Sequence, residues 1–474
     1  MKKKDAPVIY WIRDDLRIHD NIALLEATKS EKEILLVYFR DYTQKSENTA
    51  EGLWVRKSFE DLKRKYKEIY NADILCLKGD PKKEFDNLHK KFGVSQVYIN
   101  EIFDPKNKKK DSIIKDFFSK KITFIEFNSN LLFNPGEIKN NSGSFFKVYT
   151  PFWKNCLSKL VVRKPLKPPK VINTFNHKHI AFKDTTHIHY PNWALGLFKY
   201  FTPGEDSARE QLMKLGELIR GYSDNRDYPI EDSTSKLSMY FARGELSVNE
   251  VMFHMIKNKS KINMNDYNKF ISQLGWREFS YNILYNFPNL ESENFNKKFN
   301  NFEWESNNEF FIKWKRGQTG YPIVDAGMRE LYKTGYMHNR VRMITASFLV
   351  KDLLIDWRLG REWFEQTLFD HDIANNSAGW QWVAGSGTDA APYFRIFNPI
   401  LQGEKFDKEG KYVKKWVPEL NKVPQKFIHK PWEMEMKYQQ AINTIVGKDY
   451  PKPIVIHEEA RASALKAFQS LKKN

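Results

Sequence analysis

Short apolar runs alternate with amphipathic segments over the first quarter of the chain. The runs have the length and composition of strands and are VIYWI (8–12), ILLVY (34–38), DILCL (73–77), QVYIN (96–100) and ITFIEF (122–127). Between them, one helical face is marked at 4-3-4-3 spacing by Val55, Phe59, Leu62, Tyr66 and Ile69. This alternation predicts an α/β domain with a Rossmann-like parallel sheet over residues 1–128. No GxGxxG motif follows the first run, so we do not expect a dinucleotide there in the usual way.

A long linker is predicted over residues 129–197, because LVVRKPLKPPK is rich in Pro and Lys and the segment has no sustained period. Two His-x-His pairs fall in this linker, at His177, His179, His187 and His189. A metal site needs further ligands and a fixed frame, so no metal is predicted.

Helical periodicity prevails over residues 198–474. The segment from Met337 to Trp357 is predicted to be a buried helix, since apolar residues recur at helical spacing and Gly and Pro are absent from it. In FISQLGWREFSYNI one stripe carries Phe270, Gln273, Arg277 and Tyr281, and further along one face carries Asp372, Asn376 and Trp380. Ser233, Thr234 and Ser235 precede an apolar-periodic run, which predicts a helix N-cap or a phosphate site.

Charged residues on these buried segments need partners. Burying an unpaired charge costs several kcal/mol, on the order of the stability of a small domain. We therefore expect pairing, or contact with a polar ligand, for Arg340, Arg342, Asp370 and Asp372. An Arg–Asp network without a ligand is the alternative.

The composition narrows the class of protein. The net charge of +18 favours a polyanionic partner such as DNA or RNA, with a solvated basic surface as the alternative. No apolar run approaches the ~20 residues needed to span a bilayer, and the five-residue run near the N-terminus is too short for a signal peptide. Two cysteines do not suggest a disulfide framework, so a soluble protein of the reducing cytoplasm is expected.

Several motifs together resemble the photolyase/cryptochrome family, most closely its bacterial class I members, which split cyclobutane pyrimidine dimers. In chain order they are WIRDDLRIHDN, TSKLS, WREF, TGYPIVDAGMREL, MHNRVRM, NNSAGWQW, TDAAPYFRIFNP and QGEKFD. The resemblance implies an α/β antenna domain, a long linker and an all-α domain that binds FAD in a folded-over form. It also implies repair of UV-damaged DNA with blue light, by a monomer without membrane association.

The resemblance assigns residues to four roles. It places around FAD Tyr222, Thr234, Ser235, Lys236, Leu237, Ser238, Phe270, Gln273, Arg277, Asn339, Arg342, Asp370, His371, Asp372 and Asn376. The catalytic set is Asn376, Gln273, Met343, Trp276 and Trp382. The residues that it places in contact with DNA are Arg226, Gln273, Trp276, Arg277, Asn339, Arg340, Met343, Trp382 and Arg395. It matches to the family's electron-transfer chain three tryptophans, which are, in order from inner to outer, Trp380, Trp357 and Trp304, and indole suits stepwise electron hopping because it is large and easily oxidised.

One position departs from the family's pattern. Bacterial dimer-repair enzymes usually carry Glu where this chain has Gln273, and animal cryptochromes and (6–4) photolyases often carry Gln. Met343 and the Trp380-Gln381-Trp382 run follow the dimer-repair pattern. Dimer repair is therefore the first hypothesis, with a blue-light photoreceptor and a (6–4) photolyase as alternatives. The second chromophore remains open between a folate, a deazaflavin, another flavin and none.

Overall fold

A computed structural model describes residues 6–40, 48–176, 196–231, 233–390, 392–393 and 395–471. Its sheet has five strands in the order β3-β2-β1-β4-β5, and all four pairings are parallel. The strands are β1 (Val8–Ile12), β2 (Ile34–Phe39), β3 (Leu75–Leu77), β4 (Gln96–Asn100) and β5 (Thr123–Phe127). Each predicted strand is confirmed, and β3 is shorter than its apolar run.

Helices cover both faces of this sheet. They are α1 (Ile22–Thr28), α2 (Ala50–Tyr70), α3 (Pro81–Phe92) and α4 (Pro105–Phe118). Val8, Tyr10 and Ile12 of β1 point into one apolar cluster and Ile9 and Trp11 into another. This is why the strands are apolar without alternation, since a parallel sheet is buried on both sides. The predicted α/β class is confirmed.

Beyond the sheet domain, the named elements of the described residues are helices joined by loops, which confirms the predicted all-α part. The first eight helices are α5 (Tyr149–Lys159), α6 (Glu205–Met213), α7 (Leu215–Leu218), α8 (Tyr222–Asn225), α9 (Ser238–Ala242), α10 (Val248–Lys257), α11 (Met264–Asn286) and α12 (Asn308–Arg316). The others are α13 (Pro322–Thr334), α14 (Asn339–Ser347), α15 (Trp357–Thr367), α16 (Ile373–Ala384), α17 (Pro399–Phe406), α18 (Lys411–Trp416), α19 (Met436–Ala441) and α20 (His457–Ser470).

Two local predictions were wrong. The segment from Met337 to Trp357 is not one helix, because α14 passes into a π-helix (Phe348–Asp352) and α15 begins anew at Trp357. The π-helix buries Lys351 and Asp352 against partners from distant segments, which helical periodicity does not register. Ser233 to Ser235 are not an N-cap, since α9 begins only at Ser238 and its end has no side-chain cap.

The segment predicted as a linker contains α5, whose Phe152, Trp153 and Cys156 join the helical core. The boundaries at residues 128 and 197 stay predictions. The four histidines of the His-x-His pairs lie outside the described residues. Within the described ranges, none of the helices combines the length and apolar character that crossing a bilayer requires.

Candidate functional site

One cavity of about 660 Å³ lies among three helices of the all-α part. Its wall is formed by α11, α14 and α16 together with the segment 235–242 that leads into and through α9. Binding pockets for ligands of drug or cofactor size generally measure about 300–1,000 Å³. The cavity therefore has the capacity of a ligand site, and the residues that line it come from several separate parts of the sequence.

An ion pair stands in the cavity wall. Arg342 donates from Nη2 to Oδ2 of Asp370 at 2.9 Å and from Nε to the carbonyl of Met337 at 2.7 Å. Ser238 donates its hydroxyl to the same carboxylate oxygen at 2.7 Å. The carboxylate of Asp370, more than the neighbouring phenol, holds the pKa of Arg342 above its usual range against the effect of burial. The predicted pairing of these charges is confirmed.

One oxygen of this carboxylate has no partner. Oδ1 of Asp370 is buried and makes no hydrogen bond among the described residues, and Asp370 lines the cavity. Buried carboxylate oxygens are ordinarily satisfied, because an unpaired one costs several kcal/mol. A ligand that carries a hydrogen-bond donor would satisfy this oxygen, which favours a ligand site over a ligand-free Arg–Asp network.

Asp372 and Arg277 both contact Tyr281 on another part of the cavity wall. Asp372 caps α16 by accepting from the backbone N–H of Asn375 at 2.8 Å, and its second oxygen accepts from the Tyr281 hydroxyl at 2.5 Å. Arg277 donates to the carbonyl of Asn130 at 2.8 Å and lies over the Tyr281 ring at 5.0 Å. The cap explains why α16 starts where it does and why Asn376 follows one turn later on the same face.

The side chain of Asn376 is fixed by a hydrogen bond to the neighbouring helix α15. Its amide nitrogen donates to the carbonyl of Arg361 in α15 at 3.1 Å and lies 3.4 Å from Nδ1 of His371. A carboxamide fixed through its nitrogen has its oxygen as the remaining group for a ligand. Asn376 itself lines the cavity.

The predicted catalytic residues all line this cavity: Gln273, Trp276, Met343, Asn376 and Trp382. Gln273 donates its amide to the carbonyl of Lys269 one turn earlier at 3.2 Å. The Trp276 ring stacks on Tyr149 with centroids 3.8 Å apart and an interplanar angle of 9°. Asn339 places its amide nitrogen 3.8 Å from the sulfur of Met343. Aromatic faces and polar amides thus share one wall, as recognition of an unstacked base requires.

Most of the other predicted residues also reach the cavity. Those lining it are Tyr222, Ser235, Leu237, Ser238, Phe270, Arg277, Asn339, Arg342, Asp370, His371, Asp372, Arg226, Arg340 and Trp380. Thr234, Lys236 and Arg395 do not line it; Lys236 has a φ of 50° in the turn before α9, and the carbonyl of Arg395 accepts from buried Lys351 at 3.0 Å.

The three predicted relay tryptophans lie at different depths. Trp380 lines the cavity and packs on Phe364 with centroids 5.0 Å apart. Trp357 is fully buried and donates its indole N–H to Asn294 at 2.9 Å. Trp304 is only partly buried. This is a progression from cavity to surface, and the relay itself stays a prediction.

Some cavity residues were not predicted. Asp227 pairs with Arg340 across 113 positions, at 2.9 Å, and Phe364, Leu368 and Lys269 also line the wall. Only Lys269 had a usable signal, because it precedes Gln273 by one helical turn. The others reach the cavity through tertiary packing.

The residues of the wall fit FAD. The cavity is large enough for a cofactor of that size. The Asp370 oxygen that has no partner among the described residues offers it an acceptor, and the Arg342 guanidinium and the Ser235 hydroxyl offer it donors. Pyrophosphate favours guanidinium and hydroxyl donors, and a ring system with N–H groups favours carboxylate and carboxamide oxygens.

Comparisons with known proteins agree with this site. A family model described as the FAD binding domain of DNA photolyase matches residues 270–470, and one described as DNA photolyase matches residues 8–171. A deoxyribodipyrimidine photo-lyase of Agrobacterium fabrum is 41% identical over 100% of both chains.

Two solved structures extend the likeness to the whole fold. A class III photolyase from Agrobacterium tumefaciens has a TM-score of 0.95 at 41% identity, covering 99% of this chain and 98% of its own. A cryptochrome from Synechocystis has a TM-score of 0.87 at 27% identity, covering 97% of this chain and 99% of its own. The Agrobacterium tumefaciens structure is that of a class III photolyase, whereas the motifs resembled class I. The chain belongs to the photolyase/cryptochrome family.

Proposed function

We propose that this protein is a light-driven deoxyribodipyrimidine photolyase that uses FAD to split cyclobutane pyrimidine dimers in UV-damaged DNA. The name of the Agrobacterium fabrum relative supports this activity at 41% identity over the full length. The net charge of +18 suits a DNA substrate, because phosphate contacts supply most of the affinity of DNA-binding proteins.

One observation carries the proposal. A single cavity brings together the Arg342–Asp370 pair and Asn376, which suit FAD, with Trp276, Met343 and Trp382, which suit a pair of damaged bases. Dimer and cofactor would then share one cavity, which would hold them close enough for transfer of an electron over a short distance. The chemistry supplied by bound FAD is donation of an electron to the dimer after absorption of blue light.

The side chains of the protein bind and orient the two partners in this proposal. Arg342 and Ser235 would hold the cofactor's pyrophosphate, and Asn376 would offer its oxygen to the flavin ring while its nitrogen stays on Arg361. A neutral carboxamide cannot donate a proton as an acid does, which suits retention of a reduced flavin.

On the DNA side, the indoles of Trp276 and Trp382 stack on the extruded dimer beside Met343. Arg226 and Arg340 contact phosphates near the rim. Photolyases flip their target bases out of the duplex, and a poorly stacked dimer costs less to extrude than a normally stacked base pair.

Repair of dimer-containing oligothymidylate tests the activity. The reduced, FAD-loaded protein is illuminated with blue light, and restored bases are followed by the recovery of ultraviolet absorbance. We expect recovery in light and none in darkness. A Trp276→Phe variant should bind FAD normally but bind damaged DNA less well. Full FAD loading without recovery in light would disprove the proposal.

A blue-light photoreceptor is the second candidate. It is favoured by Gln273, whose carboxamide replaces the usual glutamate, and by the likeness to the Synechocystis cryptochrome. A photoreceptor would change shape or partner binding in light and yield no repaired bases. A Gln273→Glu variant separates the candidates further, because a faster repair in the variant shows that the amide limits a repair enzyme.

The cellular location, the oligomeric state and the second chromophore are proposals too. The residues Cys76 and Cys156 are free thiols, as in proteins of a reducing cytoplasm. A monomer is proposed, to be checked by light scattering. A second chromophore would be identified by the absorbance of compounds released on denaturation.

A further inference from the structure

A tyrosine from the segment predicted as a linker lies against the wall of the cavity. Tyr149 is the first residue of α5 and stacks on Trp276 of α11, with ring centroids 3.8 Å apart and an interplanar angle of 9°. Trp276 lines the cavity, whereas Tyr149 is 7% exposed and does not line it. Tyr149 therefore covers one face of the indole from the protein side and would not itself touch a ligand.

Close approach of α5 and α11 makes this stack possible. A Cβ on Gly275 of α11 would lie 2.4 Å from the Trp153 ring of α5, so a larger residue there would push the two helices apart. In the first turn of α5, the backbone N–H of Tyr149 donates to Oδ2 of Asp389 at 3.0 Å, across 240 positions of the chain. A carboxylate is favourable at the N-terminal end of a helix. Helix packing and this carboxylate together fix where the Tyr149 ring lies.

The hydroxyl of Tyr149 is tied to the same helix as the indole. It donates to the carbonyl of Ser272 at 2.7 Å and lies 2.8 Å from the Ser272 hydroxyl. Burial raises the pKa of Tyr149 to about 12, so at neutral pH the phenol keeps the proton that it donates. Ser272 precedes Trp276 by one helical turn. The tyrosine ring is thus anchored at one turn of α11 and stacks at the next, which keeps it from sliding along the indole.

A third ring supports the stack. Phe279 meets the Tyr149 ring edge-on, with centroids 5.9 Å apart and planes at 73°, and meets the Trp276 ring in the same way at 5.8 Å and 79°. Stacked and edge-to-face arrangements are the favoured geometries of aromatic pairs. The orientation of the Trp276 indole is therefore restrained before any ligand enters the cavity.

We infer that Tyr149 is a positioning residue for recognition of damaged DNA: its ring holds the Trp276 indole in the orientation that stacks on an extruded pyrimidine dimer. The inference rests on the proposed function, in which Trp276 contacts the dimer. Ordering a side chain on binding costs free energy, and an indole that is already held in place avoids that cost. Undamaged DNA is bound chiefly through its phosphates. Support of this indole therefore raises the affinity for damaged DNA and leaves the affinity for undamaged DNA unchanged.

Binding of labelled oligothymidylate in the dark tests this inference. Fluorescence anisotropy with the FAD-loaded protein gives the Kd for a strand that contains one dimer and the Kd for the same strand without it. In Tyr149→Leu the stack is lost, and we expect the Kd for the dimer strand to rise about three- to tenfold, the effect of ordering one side chain at an interface. The Kd for the undamaged strand should not change. Tyr149→Phe keeps the stacked ring and should restore most of the affinity for the dimer strand.

Phe152→Leu is the matched control. Phe152 is a buried ring of the same helix that packs on Phe279, with centroids 5.2 Å apart, and among the described residues it makes no ring contact with Trp276. This variant should leave both Kd values unchanged. FAD content and urea denaturation show whether each variant is folded. Tyr149→Met, which has a flexible side chain without a ring, replaces Tyr149→Leu if the latter does not load FAD.

A double-mutant cycle shows whether Tyr149 acts through the indole. In a Trp276→Ala background, Tyr149→Leu should cause no further loss of affinity for the dimer strand, because the side chain that it would misplace is absent. A loss that persists in this background overturns the inference. Equal losses for the damaged and undamaged strands in Tyr149→Leu overturn it as well, since Tyr149 would then only stabilise the fold.

Failure of the inference and failure of the proposed function give different results. A wild type that repairs dimers, together with a Tyr149→Leu variant that binds them as tightly, overturns the role of Tyr149 and leaves the proposed function intact. A wild type fully loaded with FAD that neither prefers the dimer strand nor repairs it in light overturns the proposed function, and the role of Tyr149 with it.

Discussion

Replacing Asp370 probes the centre of the proposed cofactor site. The residue is 8% exposed, and one of its oxygens accepts both from Arg342 and from Ser238. In Asp370→Ala the guanidinium loses its ion partner and the hydroxyl its acceptor. In Asp370→Asn both donors keep an oxygen, and only the negative charge is lost.

The expected losses follow from these contacts. Breaking a buried ion pair costs about 3–5 kcal/mol. The side chain of Arg342 is 23% exposed and keeps its bond to Met337, which lowers the loss towards the bottom of that range. We expect the free energy of unfolding of the FAD-free protein to fall by about 3 kcal/mol in Asp370→Ala. In Asp370→Asn it should fall by about 1 kcal/mol, since a charge-assisted bond becomes a neutral one.

Urea denaturation of the FAD-free variants measures these losses, and a fluorescence titration measures FAD affinity. If FAD contacts the free Asp370 oxygen, the Kd for FAD should rise about tenfold in Asp370→Asn, which corresponds to ~1.4 kcal/mol. Ser238→Ala serves as the control that removes one donor without changing the charge. Asp370→Ala within ~0.5 kcal/mol of the wild type would refute the reasoning, because changes of that size are typical of surface positions.

Three further predictions concern packing, pH and DNA. A Cβ on Gly360 would lie 2.1 Å from the Trp380 ring. Gly360→Ala should therefore lower the free energy of unfolding, measured by urea denaturation, by about 1–3 kcal/mol. Gly379→Ala is the control and should leave it unchanged, because a Cβ there would meet nothing within 4 Å. Burial raises the pKa of Glu330 from 4.5 to about 7, so the folded state binds the proton more tightly than the unfolded chain does. The free energy of unfolding should therefore fall by about 3 kcal/mol as the pH rises from about 4.5 to 7. Glu330→Gln should flatten that fall in thermal scans, and a profile unchanged by the variant contradicts this. If Arg395 contacts a phosphate, Arg395→Ala should reduce the slope of log K against log salt by about 1, as measured by DNA titration, and an unchanged slope excludes that contact.

The functional site illustrates the limits of sequence patterns. The residues on one face of α11 and the four-residue spacing of Asp372, Asn376 and Trp380 could be recognised in the sequence, because a helix repeats its faces at a fixed period. The pairing of Arg340 with Asp227 was not, since the two residues are far apart in the chain and only folding brings them together. Ser233 to Ser235 had the composition of a helix cap, but the turn at Lys236 delays α9 until Ser238.

The sequence alone determined the parallel sheet, the helical second part and most of the residues around the cavity. The periodicity of hydrophobic residues along each element specifies which of its faces is buried, and long motifs carry the family resemblance. Only the tertiary structure decided that the segment after Met337 breaks at the π-helix, where His457 from the last helix reaches Asp352. It also decided that one Asp370 oxygen and the Tyr393 hydroxyl have no hydrogen-bond partner among the described residues. Such features depend on contacts between distant segments, and no local pattern encodes which partner a buried polar atom will meet.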